Sequence, residues 1–127
     1  MKNPKEQNYF MPPEWYPHEC CWMQWPHEFQ NKNSYKEVES WSHFDFEKGR
    51  HKWAEVALGI SNFEKVNMIV HPQDIEIAKK LLHDSINIFE FHNDDCWARD
   101  SGATFLLNDK KKLGGVDWEF NGWGKFT

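Results

Sequence analysis

The apolar residues of this chain change period in a fixed order, and that order narrows the fold more than composition does. Residues 19–25 (Glu19-Cys20-Cys21-Trp22-Met23-Gln24-Trp25) are apolar on both parities apart from Gln24, which predicts a strand covered on both faces. From about Phe46, the residues Trp53, Val56, Ala57, Ile60 and Phe63 recur at three- and four-residue steps. That is a helical period with one apolar face, and Asp45 is placed to cap it. Residues 65–70 form a short β-rich run that His71-Pro72 ends. Pro72 fits the first turn of a second helix over 73–83, with Ile75, Ala78, Leu81 and Leu82 facing the core. Asp84-Ser85 then turns into a strand over 86–91. Residues 103–107 and 113–118 flank Asn108-Asp109-Lys110-Lys111-Lys112, a hairpin signature. Strand, helix, strand, helix, strand, hairpin is an α/β order with parallel neighbours.

A chain of 127 residues has the length of one domain. Residues 1–10 read as a polar tail, and 11–127 as the folded part. Three prolines between Met11 and His18 exclude a helix there, so that segment should run extended with Trp15 and Tyr16 as anchors. Residues 27–43 read as a long loop pinned by Trp41 and Phe44. A net charge of -5 and the absence of a basic stripe argue against a nucleic-acid partner. No window approaches eighteen consecutive apolar residues, and the first residues lack an apolar h-region, so neither a membrane nor secretion is expected. Three cysteines, two of them adjacent, make a poor disulfide framework and point to reduced thiols in the cytoplasm. The seven histidines show no metal-ligand spacing, and no metal or other cofactor is expected.

Chemistry concentrates in residues 93–102, Asn93-Asp94-Asp95-Cys96-Trp97-Ala98-Arg99-Asp100-Ser101-Gly102. Three carboxylates, a guanidinium, a thiol and an indole follow directly on an apolar run. A polar cluster at a strand end resembles an active-site rim, because a rigid sheet edge holds charged groups in place. The bland alternative is a surface loop in which Arg99 pairs with Asp94, Asp95 or Asp100.

Three motifs together resemble the agmatine deiminase family, within the pentein superfamily of guanidine-modifying enzymes. They are Met11-Pro12-Pro13-Glu14-Trp15-x-Pro17-His18 with Cys21-Trp22-Met23-x-Trp25-Pro26, then Asn93-Asp94-Asp95-x-Trp97-x-Arg99-Asp100-x-Gly102, and Gly115-Val116-Asp117-Trp118-x-Phe120-Asn121-x-Trp123-Gly124. Bacterial-type peptidyl-arginine deiminases are closely related. The resemblance implies a five-bladed α/β propeller, of which this chain would supply the N-terminal ββαβ module and part of the next, truncated. It implies a hydrolase that turns agmatine and water into N-carbamoylputrescine and ammonia, in putrescine synthesis. A peptidyl-arginine substrate, or a non-enzymatic aromatic-rich binding module, is the alternative.

By the same resemblance Asp100 grips the substrate guanidinium and Trp97 walls its pocket, with Asp94 and Asp95 as further substrate-binding candidates. A carboxylate suits that task, since a guanidinium presents paired N–H donors. For Trp97 and Asp100 to reach one ligand, the backbone between them must turn, because strand side chains alternate. Arg99 would then be structural, holding Asp94, Asp95 or backbone carbonyls. The family's nucleophilic cysteine and histidine base match nothing in this chain, so no catalytic residue is expected here. Such a chain should be inactive alone, and its partners would be a small guanidine, a complementing C-terminal half or further copies of itself. The family's proline after the motif glycine is replaced by Ala103. Trp22, Trp25, Trp118 and Trp123 read as core rather than as ligand platforms.

Overall fold

The computed structural model describes residues 3–28, 45–93 and 95–119. Expectations for Trp41, Phe44, Asp94, Trp123 and most of the 27–43 loop lie outside them. In chain order the regular elements are β1 (Tyr9–Phe10), β2 (Cys21–Gln24), α1 (Phe46–Ser61), β3 (Val66–Val70), α2 (Ile75–Leu81), β4 (Ile86–Glu90), α3 (Ala98–Ser101), β5 (Thr104–Asn108) and β6 (Leu113–Val116). This is a mixed α/β chain, and its described strands form two open three-stranded sheets. It divides into two compact units, one of Glu19–Trp97 and one that joins Met1–His18 to Ala98–Thr127.

The larger unit is the parallel sheet β2-β3-β4 that the alternating order predicts. Cys21 pairs with Val66 and Val66 with Ile86, so Met23, Met68 and Ile88 align on one face while Trp25 and Val70 extend it. That face is the core: Trp25, Val66, Met68, Val70 and Ile86 are buried against Ala57 of α1 and Ala78 of α2. The two alanines let the helix backbones come close to the sheet. Each fully buried Val or Met side chain contributes about 1.5–3 kcal/mol.

Asp45 caps α1, its Oδ1 accepting from the Lys48 N–H at 3.1 Å. Pro72 opens a 3-10 turn, Pro72–Asp74, that leads into α2.

In the larger unit the buried stripe of α1 and the cover of β2 differ from expectation. Val56 is 53 % exposed and Phe63 91 %, so neither belongs to the buried stripe of α1. Trp53, Ala54, Ala57 and Ile60 form it instead. The helix ends at Ser61, where the Asn62 side chain donates to the Leu58 carbonyl, and Phe63 falls beyond the last turn. Strand β2 is covered on one face only. Trp22 is 40 % exposed and meets Phe89 across the sheet at 5.1 Å between ring centroids.

The smaller unit is the antiparallel sheet β1-β5-β6. Its hairpin is closed by Asn108, whose Oδ1 accepts from the Lys110 and Lys112 N–H groups, while Lys111 takes a left-handed φ of 58°. Within the segment read as a polar tail, Asn3 caps a 3-10 turn over Pro4–Gln7 and Tyr9 pairs with Asn108. The Tyr9 ring lies over Gly114, where an added Cβ would sit 2.9 Å from it. Trp15 anchors nothing, being 86 % exposed, and the prolines bend rather than extend the chain, with Tyr16 N–H bonded to the Pro13 carbonyl. Trp118 is 63 % exposed, contrary to a core position, and donates its indole N–H to Thr104.

Candidate functional site

In parallel α/β sheets the carboxyl ends of the strands carry functional side chains, because loops there converge on rigid backbone. Each of the three parallel strands is followed here by a histidine: His27 after β2, His71 after β3 and His92 after β4. The His27 and His71 rings stack at 3.8 Å between centroids, and His92 meets His71 edge-on at 4.8 Å. Asp74 lies beneath them. Its Oδ2 is 2.6 Å from His27 Nδ1, and its Oδ1 accepts from Arg50 Nη2 at 2.8 Å. Arg50 also donates through Nε to the Pro26 carbonyl. Side-chain exposures of 4 % for His27, 9 % for Asp74 and 13 % for Arg50 make this a buried charge network.

Sequence reasoning missed this group, although the signal was present: every parallel strand is followed by a histidine within three residues of its end. Strand register alone brings the three together.

Beyond His92, side-chain bonds from Asn93 and Asp95 organise the chain. Asn93 donates through Nδ2 to the Trp25 carbonyl at the end of β2 and to the Asp95 carbonyl, both at 3.1 Å. Asp95 accepts on Oδ1 from the N–H groups of Cys96 (2.6 Å) and Trp97 (3.1 Å). So Asp95 caps the segment that follows it. Trp97, 42 % exposed, packs edge-on against Trp53 of α1 at 5.8 Å. Burial, reinforced by the Asp95 carboxylate, pushes the Cys96 thiol up to about 11. Burial likewise raises Cys21, with Glu64 and Cys20 adding to it. Neither thiol has the low pKa of an activated nucleophile.

In the smaller unit Asp100 lies on the single helical turn α3, so the backbone of Ala98–Ser101 is coiled rather than extended. Asp100 is exposed, and among the described residues it has no ion pair. Among the described residues Arg99 does not hold Asp95 or a backbone carbonyl. Its Nη1 donates to Glu14 Oε1 at 2.6 Å, in an exposed pair that draws it toward the proline-rich segment. Gly102 ends the turn, its N–H bonded to the Ala98 carbonyl, and an added Cβ there would run into that carbonyl oxygen. Asp94 lies outside the described residues. Among those described, no cluster of three or more His, Cys, Asp or Glu could hold a metal ion, and no helix is long and apolar enough to cross a membrane.

Residues 10–127 match the family model of Porphyromonas-type peptidyl-arginine deiminase. A protein of Legionella pneumophila (strain Paris), provisionally named as an agmatine deiminase, is 43 % identical over 95 % of this chain and 33 % of its own length. The agmatine deiminase of Pseudomonas aeruginosa (strain LESB58) is 38 % identical over 97 % of this chain and 31 % of its own. Among solved structures, the agmatine deiminase of Enterococcus faecalis superposes with a TM-score of 0.75 at 34 % identity, covering 95 % of this chain and 30 % of that one. The chain spans about a third of the length of the curated relatives it matches.

Proposed function

The chain belongs to the Porphyromonas-type peptidyl-arginine deiminase family, and from that premise we propose that it is the N-terminal, guanidinium-holding part of an agmatine deiminase-like hydrolase. The observation that carries this reading is Asp100: an exposed carboxylate with no ion pair among the described residues, its neighbour Arg99 turned away to Glu14. Such a carboxylate is open to a substrate guanidinium, which it would bind through two charge-assisted hydrogen bonds. Trp97 would pack on the planar cation, worth about 1–2 kcal/mol when desolvated. Asp95 serves the site from its cap, by setting where Trp97 emerges. Asp94 is kept as a further substrate contact on the strength of the motif alone.

The reaction needs a thiolate to attack the central guanidinium carbon and expel ammonia, then water to release the ureido product, with a base moving the protons. The raised pKa values of Cys21 and Cys96 support assigning that thiolate to the portion of the relatives this chain does not span. In the complete enzyme the two sheets would be parts of a propeller closed by that portion, whether as a complementing half or as further copies. The three cysteines are free thiols, which supports a reducing compartment such as the cytoplasm. The pathway would be putrescine synthesis.

The test is agmatine binding to the chain by calorimetry, wild type against Asp100→Asn. The reading expects at least a tenfold loss of affinity, about 1.4 kcal/mol, and no ureido product from either protein. Equal binding by both would refute the role of Asp100. A peptidyl-arginine substrate is the second reading, favoured by the description of the matching family, and assaying the complete enzyme on agmatine and on a peptide arginine separates the two.

A further inference from the structure

We infer that Glu14 is a positioning residue for the guanidinium site: by taking up Arg99 it cancels the positive charge next to Asp100 in the chain, and so leaves that carboxylate to an incoming cation. The inference rests on the function proposed above, since it concerns what Asp100 binds. All three residues lie in the smaller unit.

Two short turns bring the pair together. Pro12 and Pro13 fix φ ahead of Glu14, and the Tyr16 N–H closes the turn on the Pro13 carbonyl at 2.9 Å. Arg99 stands on α3, whose Ala98 carbonyl accepts from the Gly102 N–H at 2.9 Å. Each turn presents its side chain with little backbone freedom left to lose. Arg99 Nη1 then meets Glu14 Oε1 at 2.6 Å.

The pair is solvated, with the Arg99 side chain 83 % and the Glu14 side chain 70 % exposed. An ion pair so exposed adds little to the stability of the fold. Its effect on local charge is larger. Glu14, Arg99 and Asp100 together carry one net negative charge. Remove Glu14 and none remains; remove Arg99 and two do. Arg99 need not touch Asp100 to interfere. Adjacent residues on a helical turn do not face each other, but a guanidinium left without its counter-charge one residue away repels an arriving guanidinium through the solvent. Glu14 sets the field at Asp100 by acting on Arg99.

The test is calorimetric titration of agmatine into the 127-residue chain, wild type against Glu14→Gln, Arg99→Gln and the double variant, at two salt concentrations. Glu14→Gln keeps an amide oxygen for Arg99 and should weaken binding by about threefold at low salt. Arg99→Gln should tighten binding by a similar factor. The double variant has the wild-type net charge and should bind as the wild type does. Each difference should shrink between about 0.01 M and 0.15 M salt, as the screening length falls from about 30 Å to about 8 Å. A pair that only braces the proline-rich segment gives a different pattern: weaker binding in Arg99→Gln, no recovery in the double variant, and the same ratios at both salts. That pattern, or a Glu14→Gln that binds as tightly as the wild type, overturns the inference. Asp100→Asn separates the two levels. If it binds agmatine as well as the wild type does, the reading of Asp100 falls and this inference with it. If Asp100→Asn alone loses binding, the role of Glu14 falls and that of Asp100 stands.

Discussion

Replacing Asp74 tests what holds the carboxyl end of the parallel sheet together. Its carboxylate accepts two short bonds, at 2.6 Å from His27 and 2.8 Å from Arg50, and no member of the group is more than 13 % exposed. Asp74→Ala leaves the Arg50 guanidinium, among the described residues, with the Pro26 carbonyl and the face of the Phe46 ring at 6.0 Å but no carboxylate, at a site water barely reaches. Removing one member of a buried pair costs about 3–5 kcal/mol, because the surviving charge is stranded. Total stability for a chain this size is on the order of 6–19 kcal/mol, so the loss is a large fraction of it. The melting temperature should fall by roughly 10–20 °C. Urea unfolding followed by far-UV circular dichroism, with a check that the slope is unchanged, would measure the loss.

Two further variants isolate the cause. Asp74→Asn keeps an acceptor for Arg50 and can donate to the other His27 tautomer, so it should lose only about 1–2 kcal/mol. Arg50→Met combined with Asp74→Leu removes both charges and should recover most of what Asp74→Ala loses. A loss under about 1 kcal/mol for Asp74→Ala, or a double variant as unstable as the single one, would refute the account of a stranded charge.

Other expectations are simpler to check. Gly102→Ala forces a methyl into the Ala98 carbonyl oxygen and should destabilise the smaller unit by roughly 1–3 kcal/mol, read as a lowered urea midpoint. Trp53→Ala removes the edge contact with Trp97 along with other buried area, at about 3–5 kcal/mol, and should weaken the near-UV tryptophan signal. Cys96 should resist iodoacetamide at pH 8, its rate still rising as pH approaches 11. Stability gained by keeping that thiol neutral should be complete below pH 9 and decline toward pH 11, since a raised acid loses its advantage as pH climbs through the folded value.

What the sequence made legible was what depends on near neighbours. Asp45 as a cap, Pro72 in a first turn and Asn108–Lys112 as a hairpin turn each follow from a few adjacent residues, and each stands as expected. The face of α1 was less readable. A stripe of three- and four-residue steps admits two overlapping sets, and only packing against β3 chooses Ala54 over Val56. The open face of β2 was invisible for the same reason, because a tryptophan satisfied by Phe89 two strands away looks in sequence like a core tryptophan. Long-range pairings were out of reach altogether. Arg99 finds Glu14 across 85 residues, and His27 finds Asp74 across 47. The motif around Asp100 could be recognised in the chain, whereas the histidine that follows each β-run gains its meaning only from the register of three strands.

The pairing of Tyr9 with Asn108 bears on the order in which a cell could build this molecule. Residues of the larger unit all lie between those two partners, so a ribosome releases that unit whole before β5 exists. At about 5–20 residues per second, β1 waits some 5–20 s for its neighbour. During that interval an unpaired two-residue strand and the aromatic ring of Tyr9 are available to anything nearby. The parallel sheet can mature cotranslationally, but the smaller sheet must be completed later, by an earlier-made segment returning to a later-made hairpin. A slow codon placed after β4 would favour the early unit, and one placed between β1 and β5 would lengthen the exposure of the other.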